Sequence, residues 1–207
     1  VGGRICVAGR GPAPSDLMFV CSSVLEEEVM DEEVGNYGHK FRRKPAYLKG
    51  PVGMILRELC QSVGIDIDSQ VYYTALAKWL LPKDARLAPK ANHVEPGLRC
   101  LAREVQAVEP KIVVTFGKAA FEFFCPVKIK FDDAVGAIFY SKEFNCRVMP
   151  MKHSFYIMSK PEWMESFRMD MRQVAELYSE VKGAVINKVE KHYRTVHNSH
   201  ELRQLVS

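Results

Sequence analysis

Short apolar runs alternate with amphipathic stretches along most of this chain, and the alternation predicts strands separated by helices. Asp16-Leu17-Met18-Phe19-Val20-Cys21 has the length and continuity of a buried strand. From Val52 the period changes, and Ile55, Leu56, Leu59, Cys60 and Val63 share one helical face that Gly64 closes. Residues 71–76 form a second β-rich run. Leu98, Leu101, Ala102, Val105 and Val108 make another helical stripe, ended by Pro110. Residues 112–116 are a third buried strand, whose Gly117 leads straight into a short helix over 118–125. Residues 137–140 and 147–151 read as a hairpin around Glu143-Phe144-Asn145.

Crossovers of ten or more residues between strands imply a mostly parallel sheet with helices on both faces. In such sheets the ligand crevice lies beyond the carboxyl ends of the strands. That rule gathers residues 21–24, residues 75–78, Gly117-Lys118 and His153-Ser154 at one edge. His153 follows the apolar run 148–151 and Lys152, a placement that puts an imidazole at a cleft mouth. There it donates to an oxygen that turns negative, or holds a phosphate. The same position also suits a histidine satisfied by a backbone carbonyl.

The tail has a different pattern. After Pro161, the residues Trp163, Phe167, Met171, Val174, Tyr178 and Val181 step by three and four, marking a long amphipathic helix with a core or seam face. Residues 192–196 read as a new strand, and Ser199 as the N-cap of a new helix. The expected organisation is a main domain over 1–160, a helix and linker over 161–191, and the start of a following domain over 192–207.

With 47% apolar and 26% charged residues in 207, the chain affords a full core, which argues against global disorder. No apolar stretch approaches the length of a membrane span. The start, Val1-Gly2-Gly3-Arg4, has no signal-peptide pattern and reads as a cut from something longer. Net charge is only +4, so its distribution matters more than its sum. Six acids crowd into residues 26–33, followed by Lys40, Arg42, Arg43, Lys44 and Lys49 with no acid among them. A second basic loop is expected over 78–94. Each is either solvated surface or a phosphate contact. The six cysteines form no CxxC pair and suit reduced thiols of an intracellular protein.

Six stretches, taken in order, resemble the uracil-DNA glycosylase superfamily, most closely its family 4 branch, over residues 9–160. They are Gly9-Arg10-Gly11-Pro12; the strand at 17–20 running into Cys21-Ser22-Ser23-Val24-Leu25-Glu26-Glu27-Glu28; Gly50-Pro51-Val52-Gly53; residues 72–82; residues 110–120; and Val148-Met149-Pro150-Met151-Lys152-His153-Ser154. The resemblance implies a three-layer α/β/α sandwich around a mostly parallel four-stranded sheet, with a C-terminal helical extension. It also implies an enzyme that flips a base from the stack and breaks its N-glycosidic bond.

Carried over residue by residue, that chemistry is incomplete. His153 matches the donor that stabilises the departing base anion. The water-positioning acid or amide is replaced by Ser22, and the glycine and proline beside it by Cys21 and Val24. The asparagine that reads the base edge is replaced by Ala75. Tyr47 or Tyr37 supplies a stacking ring or is an ordinary core or surface aromatic; Glu28 matches a trailing glutamate and is a candidate substitute carboxylate. Ser154 lies beside the base position. Lys40, Arg42, Arg43, Lys44, Lys49, Lys78 and Lys118 are the expected phosphate contacts, Lys118 because it opens a helix after Gly117.

The branch also holds an iron–sulfur cluster on four cysteines. Cys100 matches one ligand, but Trp79 stands in a partner's place and Cys6 is alone near the N-terminus, so no metal or cofactor is expected and Cys100 reads as core. Residues 193–196 and 201–206 resemble the opening of the proofreading exonuclease of A-family DNA polymerases, a layout similar to that of certain bacteriophage polymerases. The implied partners are DNA and the remainder of a polymerase chain, with no membrane. Three readings follow: a DNA-binding module without catalysis, favoured by Ala75 and Ser22; an active glycosylase of altered base choice using His153 with Glu28 or Ser22; or a spacer that touches no DNA.

Overall fold

Every residue of Leu17–Val24 is buried, because this strand is covered on both faces and flanked on both edges. It is β1 in a computed structural model that describes residues 7–29, 32–34, 40–42, 47–86, 89–153 and 155–183. The chain continues through α1 (Glu26–Val29) and a small antiparallel hairpin of β2 (Glu32–Val34) and β3 (Lys40–Arg42). Next come α2 (Gly50–Ser62), α3 (Ile67–Gln70), β4 (Val71–Leu80), α4 (Ala91–Val108) and β5 (Ile112–Phe116). The last elements are α5 (Lys118–Phe124), α6 (Phe131–Ala134), β6 (Phe139–Ser141), β7 (Cys146–Met151), α7 (Phe155–Ser159) and α8 (Met164–Val181).

The main sheet has the order β4-β1-β5-β7-β6. Four strands run parallel, as the long crossovers require, and the expected hairpin adds β6 as a short antiparallel fifth at the edge. The parallel register pairs Cys21 with both Ala75 and Phe116, and Phe116 with Met151. All four parallel strands therefore end at the same edge.

Strand alternation divides the core in two. Leu17, Phe19, Tyr73, Ala75, Val114, Phe116, Met149 and Met151 face α2 and α8. Met18, Val20, Leu76, Val113 and Val148 face α4 and α5. The result is an α/β/α sandwich. Phe167, Met171, Val174, Leu177 and Tyr178 of α8 are buried in the first cluster, with Met171 Sδ 3.9 Å from Cys60 Sγ of α2. Trp163 lies in a 3-10 turn before α8 rather than on the helix itself. Residues 192–207 lie outside the described residues. No described helix is long and apolar enough to cross a membrane.

One expectation is corrected here. The second strand continues to Leu80, so Lys78 belongs to β4 and not to a basic loop. The glycine-rich lead-in is a strap along the open edge of β4: Val7 N–H donates to Lys78 O, and Arg10 exchanges backbone hydrogen bonds with Tyr73. A Cβ at Gly11, where φ is 124°, would meet Tyr72 Cα at 2.8 Å, so only glycine lets the strap lie this close. Covering the edge removes a row of unpaired amides.

If α8 folds as one unit with the sheet, Met171→Ala costs about 2–5 kcal/mol and a urea titration still shows one transition. A separate early transition confined to α8 would contradict this packing.

Candidate functional site

Three strands converge at the carboxyl edge of the sheet. Ser22 lies near the end of β1, two residues before Val24, Gly117 follows β5, and His153 lies two residues past β7. Ser22 is buried, and its hydroxyl donates to Phe116 O at 3.0 Å. Gly117 N–H donates to Met151 O at 3.0 Å, tying the end of β5 to that of β7. Gly117 has φ 98°, and a Cβ there would come within 2.6 Å of Ser22 Oγ and 3.5 Å of His153 Cδ2. The missing side chain is what allows the hydroxyl and the imidazole to approach from opposite strands.

His153 is only 2% exposed. Phe155 N–H, in the first turn of α7, donates to His153 Nδ1 at 3.2 Å. A backbone amide only donates, so Nδ1 is unprotonated and the ring proton sits on Nε2. Nε2 is buried and lacks a protein hydrogen-bond partner; among the described residues only Thr115 Oγ1 shares that condition. Burial pushes the imidazole pKa down to about 4, so the ring is neutral at pH 7. A neutral imidazole with a fixed tautomer and an unspent N–H is a donor waiting for an acceptor, the requirement of an oxyanion stabiliser.

The other candidates fall into structural roles. Glu28 is buried and accepts from Leu25 N–H and Leu48 N–H, both at 2.9 Å. Its carboxylate pins the two ends of the segment between β1 and α2, which corrects its reading as a substitute catalytic acid. Tyr47 is fully buried; its hydroxyl donates to Val7 O at 3.1 Å and its ring packs on Tyr73 at 5.3 Å. It is a core tyrosine in this structure, not an exposed stacking surface. Ala75 is buried on β4 beside Cys21 and offers only a methyl group.

Lys78 is also corrected. Tyr72, Thr74, Leu76 and Lys78 of β4 face α4, so the Lys78 side chain is buried, ion-paired with Glu104 and hydrogen-bonded to Thr74. Glu104 in turn accepts Gly9 N–H at 3.3 Å, linking the pair to the N-terminal strap. Such a lysine holds the fold and does not meet phosphate. Lys118 remains accessible at the start of α5, in an i,i+4 pair with Glu122 at 3.5 Å. Lys49 is half-buried before α2, and Lys40 and Arg42 lie on β3. Arg43, Lys44, Ser154 and Tyr37 lie outside the described residues.

One arrangement escaped sequence reasoning. Lys152 Nζ and Lys160 Nζ lie 4.3 Å and 4.6 Å from the centre of the Trp163 ring, which also packs on Tyr156. The lysines stand eight positions apart, and reading Trp163 as part of a helical stripe hid the turn that joins them.

With the strand ends and the histidine in place, comparison with known proteins decides the lineage. The sequence pattern of the Uracil DNA glycosylase superfamily matches residues 5–176. The chain belongs to that superfamily. The match runs past residue 160, where the motif resemblance ended, well into α8. A DNA polymerase of Bacillus phage SP01 is 27% identical over 135 residues, which is 65% of this chain. The match spans only 14% of that polymerase's length.

Cys100 is exposed on α4, at the flank of the buried stripe of Gly97, Leu101, Val105 and Val108, which corrects its reading as core. Among the described residues no three histidines, cysteines or acids group as a metal would need.

The buried neutral histidine has a pH signature. Between pH 6.5 and 4 the unfolded chain binds a proton at this histidine and the folded chain does not, so stability present above pH 6.5 is lost as pH falls. The loss approaches roughly 3 kcal/mol near pH 4. Asp170, raised to about 6 by burial, acts with opposite sign. Comparing wild type with His153→Gln by urea unfolding isolates the histidine. The difference should grow across this window, and parallel curves would contradict a neutral buried imidazole.

Proposed function

We propose that this chain is a DNA-holding domain of a DNA polymerase, built on a glycosylase fold whose hydrolytic site is no longer complete. The observation that carries the reading is the environment of Ser22. Hydrolysis of an N-glycosidic bond needs a group that directs water at a sugar becoming cationic. A serine whose hydroxyl is donated to Phe116 O supplies neither negative charge nor a proton acceptor of suitable pKa. Ala75 removes the amide that would read the base, and a site that loses such paired groups loses orders of magnitude in rate. Glu28 is already engaged by two backbone amides.

The phage polymerase relative supports a parent chain that copies DNA, and the resemblance of residues 193–196 and 201–206 to a proofreading exonuclease supports such a domain starting after residue 191. Such a chain works where DNA is copied, in the host cell interior if the source is viral. Accessible lysines such as Lys118 supply the electrostatic contact with backbone phosphates, and binding then weakens steeply with salt.

One observation favours the second reading, an active glycosylase of altered base choice. His153 keeps an unspent Nε2 donor at the sheet edge, as leaving-group stabilisation requires.

Incubating the chain with single-stranded and duplex oligonucleotides carrying uracil, hypoxanthine or xanthine separates the readings. The proposal expects retention of DNA at low salt and no abasic sites above buffer. Abasic sites that disappear in His153→Ala would replace it with the second reading.

A further inference from the structure

We propose that Lys152 and Lys160, converging on the indole of Trp163, form a clamp for a DNA backbone phosphate next to the nucleotide held near His153. This rests on the DNA-holding reading and adds a site to it. The lysines bracket α7, one before His153 and one after Ser159. Both ammonium groups lie within 5 Å of one ring centre. Two like charges repel, so a shared ring that attracts both is the feature holding them together. The Trp163 backbone amide donates to Lys160 O at 3.0 Å, closing the turn that carries the ring, and Tyr156 packs on the ring itself at 5.2 Å.

The acidic groups nearby leave this pair able to take an anion. Lys152 pairs with Asp132 at 3.0 Å, but Asp132 is 81% exposed, so water competes for that contact and a phosphate readily displaces it. Asp170 lies close enough to feel the Lys152 charge. Among the described residues no carboxylate forms an ion pair with Lys160. A phosphodiester carries one negative charge and several acceptor oxygens, which suits two preorganised ammonium groups. Preorganisation also lowers the ordering cost that flexible lysines ordinarily incur on binding.

Position selects DNA as the source of that phosphate. His153 O accepts from Tyr156 N–H at 2.9 Å and His153 Nδ1 from Phe155 N–H, so these bonds tie the histidine to α7, which the two lysines bracket. A strand whose nucleotide reaches His153 must run its backbone past this segment.

Fluorescence anisotropy of the chain with a single-stranded oligodeoxynucleotide, measured across a range of KCl concentrations, tests the clamp. Each phosphate contact adds about 0.7 to the slope of log affinity against log salt. Lys152→Ala with Lys160→Ala should lower that slope by about 0.7 or more. Trp163→Leu, which leaves net charge unchanged, should lower it in the same direction, and Trp163→Phe should restore it. A double variant with wild-type slope and affinity would overturn the clamp while leaving DNA binding intact. Wild-type binding by Trp163→Leu would overturn the ring's positioning role. Failure of the wild-type chain to bind at low salt would overturn both the clamp and the reading beneath it.

Discussion

Backbone at Gly117 must pass between a hydroxyl and an imidazole, and the site depends on its doing so without a side chain. The glycine sits at φ 98° with Ser22 Oγ on one side and His153 Cδ2 on the other. Its amide bonds to Met151 O and its carbonyl accepts from Phe121 N–H, so one residue joins β5, β7 and α5. Parallel register brings three strands to this point at the same height. An alanine here would meet strain from φ and collision from Ser22 together.

The chemistry that remains around this glycine is lopsided. On the β7 side, the imidazole is desolvated, neutral and fixed in the tautomer that presents Nε2–H. Leaving such a group without a partner in the folded chain costs free energy, on the order of 1–3 kcal/mol for a buried donor. A donor kept at that cost is suited to an incoming acceptor, whether a base carbonyl or a phosphate oxygen. On the β1 side, the hydroxyl of Ser22 is spent on the backbone oxygen of Phe116. The buried carboxylate nearest in sequence, Glu28, holds two chain segments together. Around Gly117 the structure thus sets an unspent imidazole donor on one strand end against a hydroxyl bonded to the backbone on another.

Periodicity made the sandwich legible, because buried parallel strands such as Leu17–Val24 and Ile112–Phe116 read as unbroken apolar runs. The helical stripes of α2, α4 and α8 likewise matched their buried faces. The edge gathering Ser22, Gly117 and His153 followed from the rule for parallel sheets. Side-chain direction was less legible. Lys78 looked like loop charge because nothing in a linear reading reveals that β4 extends to Leu80 and that Glu104 waits on α4. Tyr47 and Glu28 carry the chemistry of site residues, yet long-range backbone contacts at Val7 and Leu48 put them to structural use. Cys100 went the other way, exposed because the stripe of α4 passes through Gly97 and Leu101 instead. The Trp163 clustering of two lysines depends on a turn, which residue spacing does not encode.

The domain is proposed to hold DNA without reading the base. Equilibrium affinities for matched oligonucleotides differing only by uracil or thymine at one position, measured for wild type and His153→Ala, test it most directly. The account predicts the two bases to agree within about twofold in wild type, less than 1 kcal/mol. A preference for uracil of about tenfold or more, abolished in His153→Ala, would contradict it.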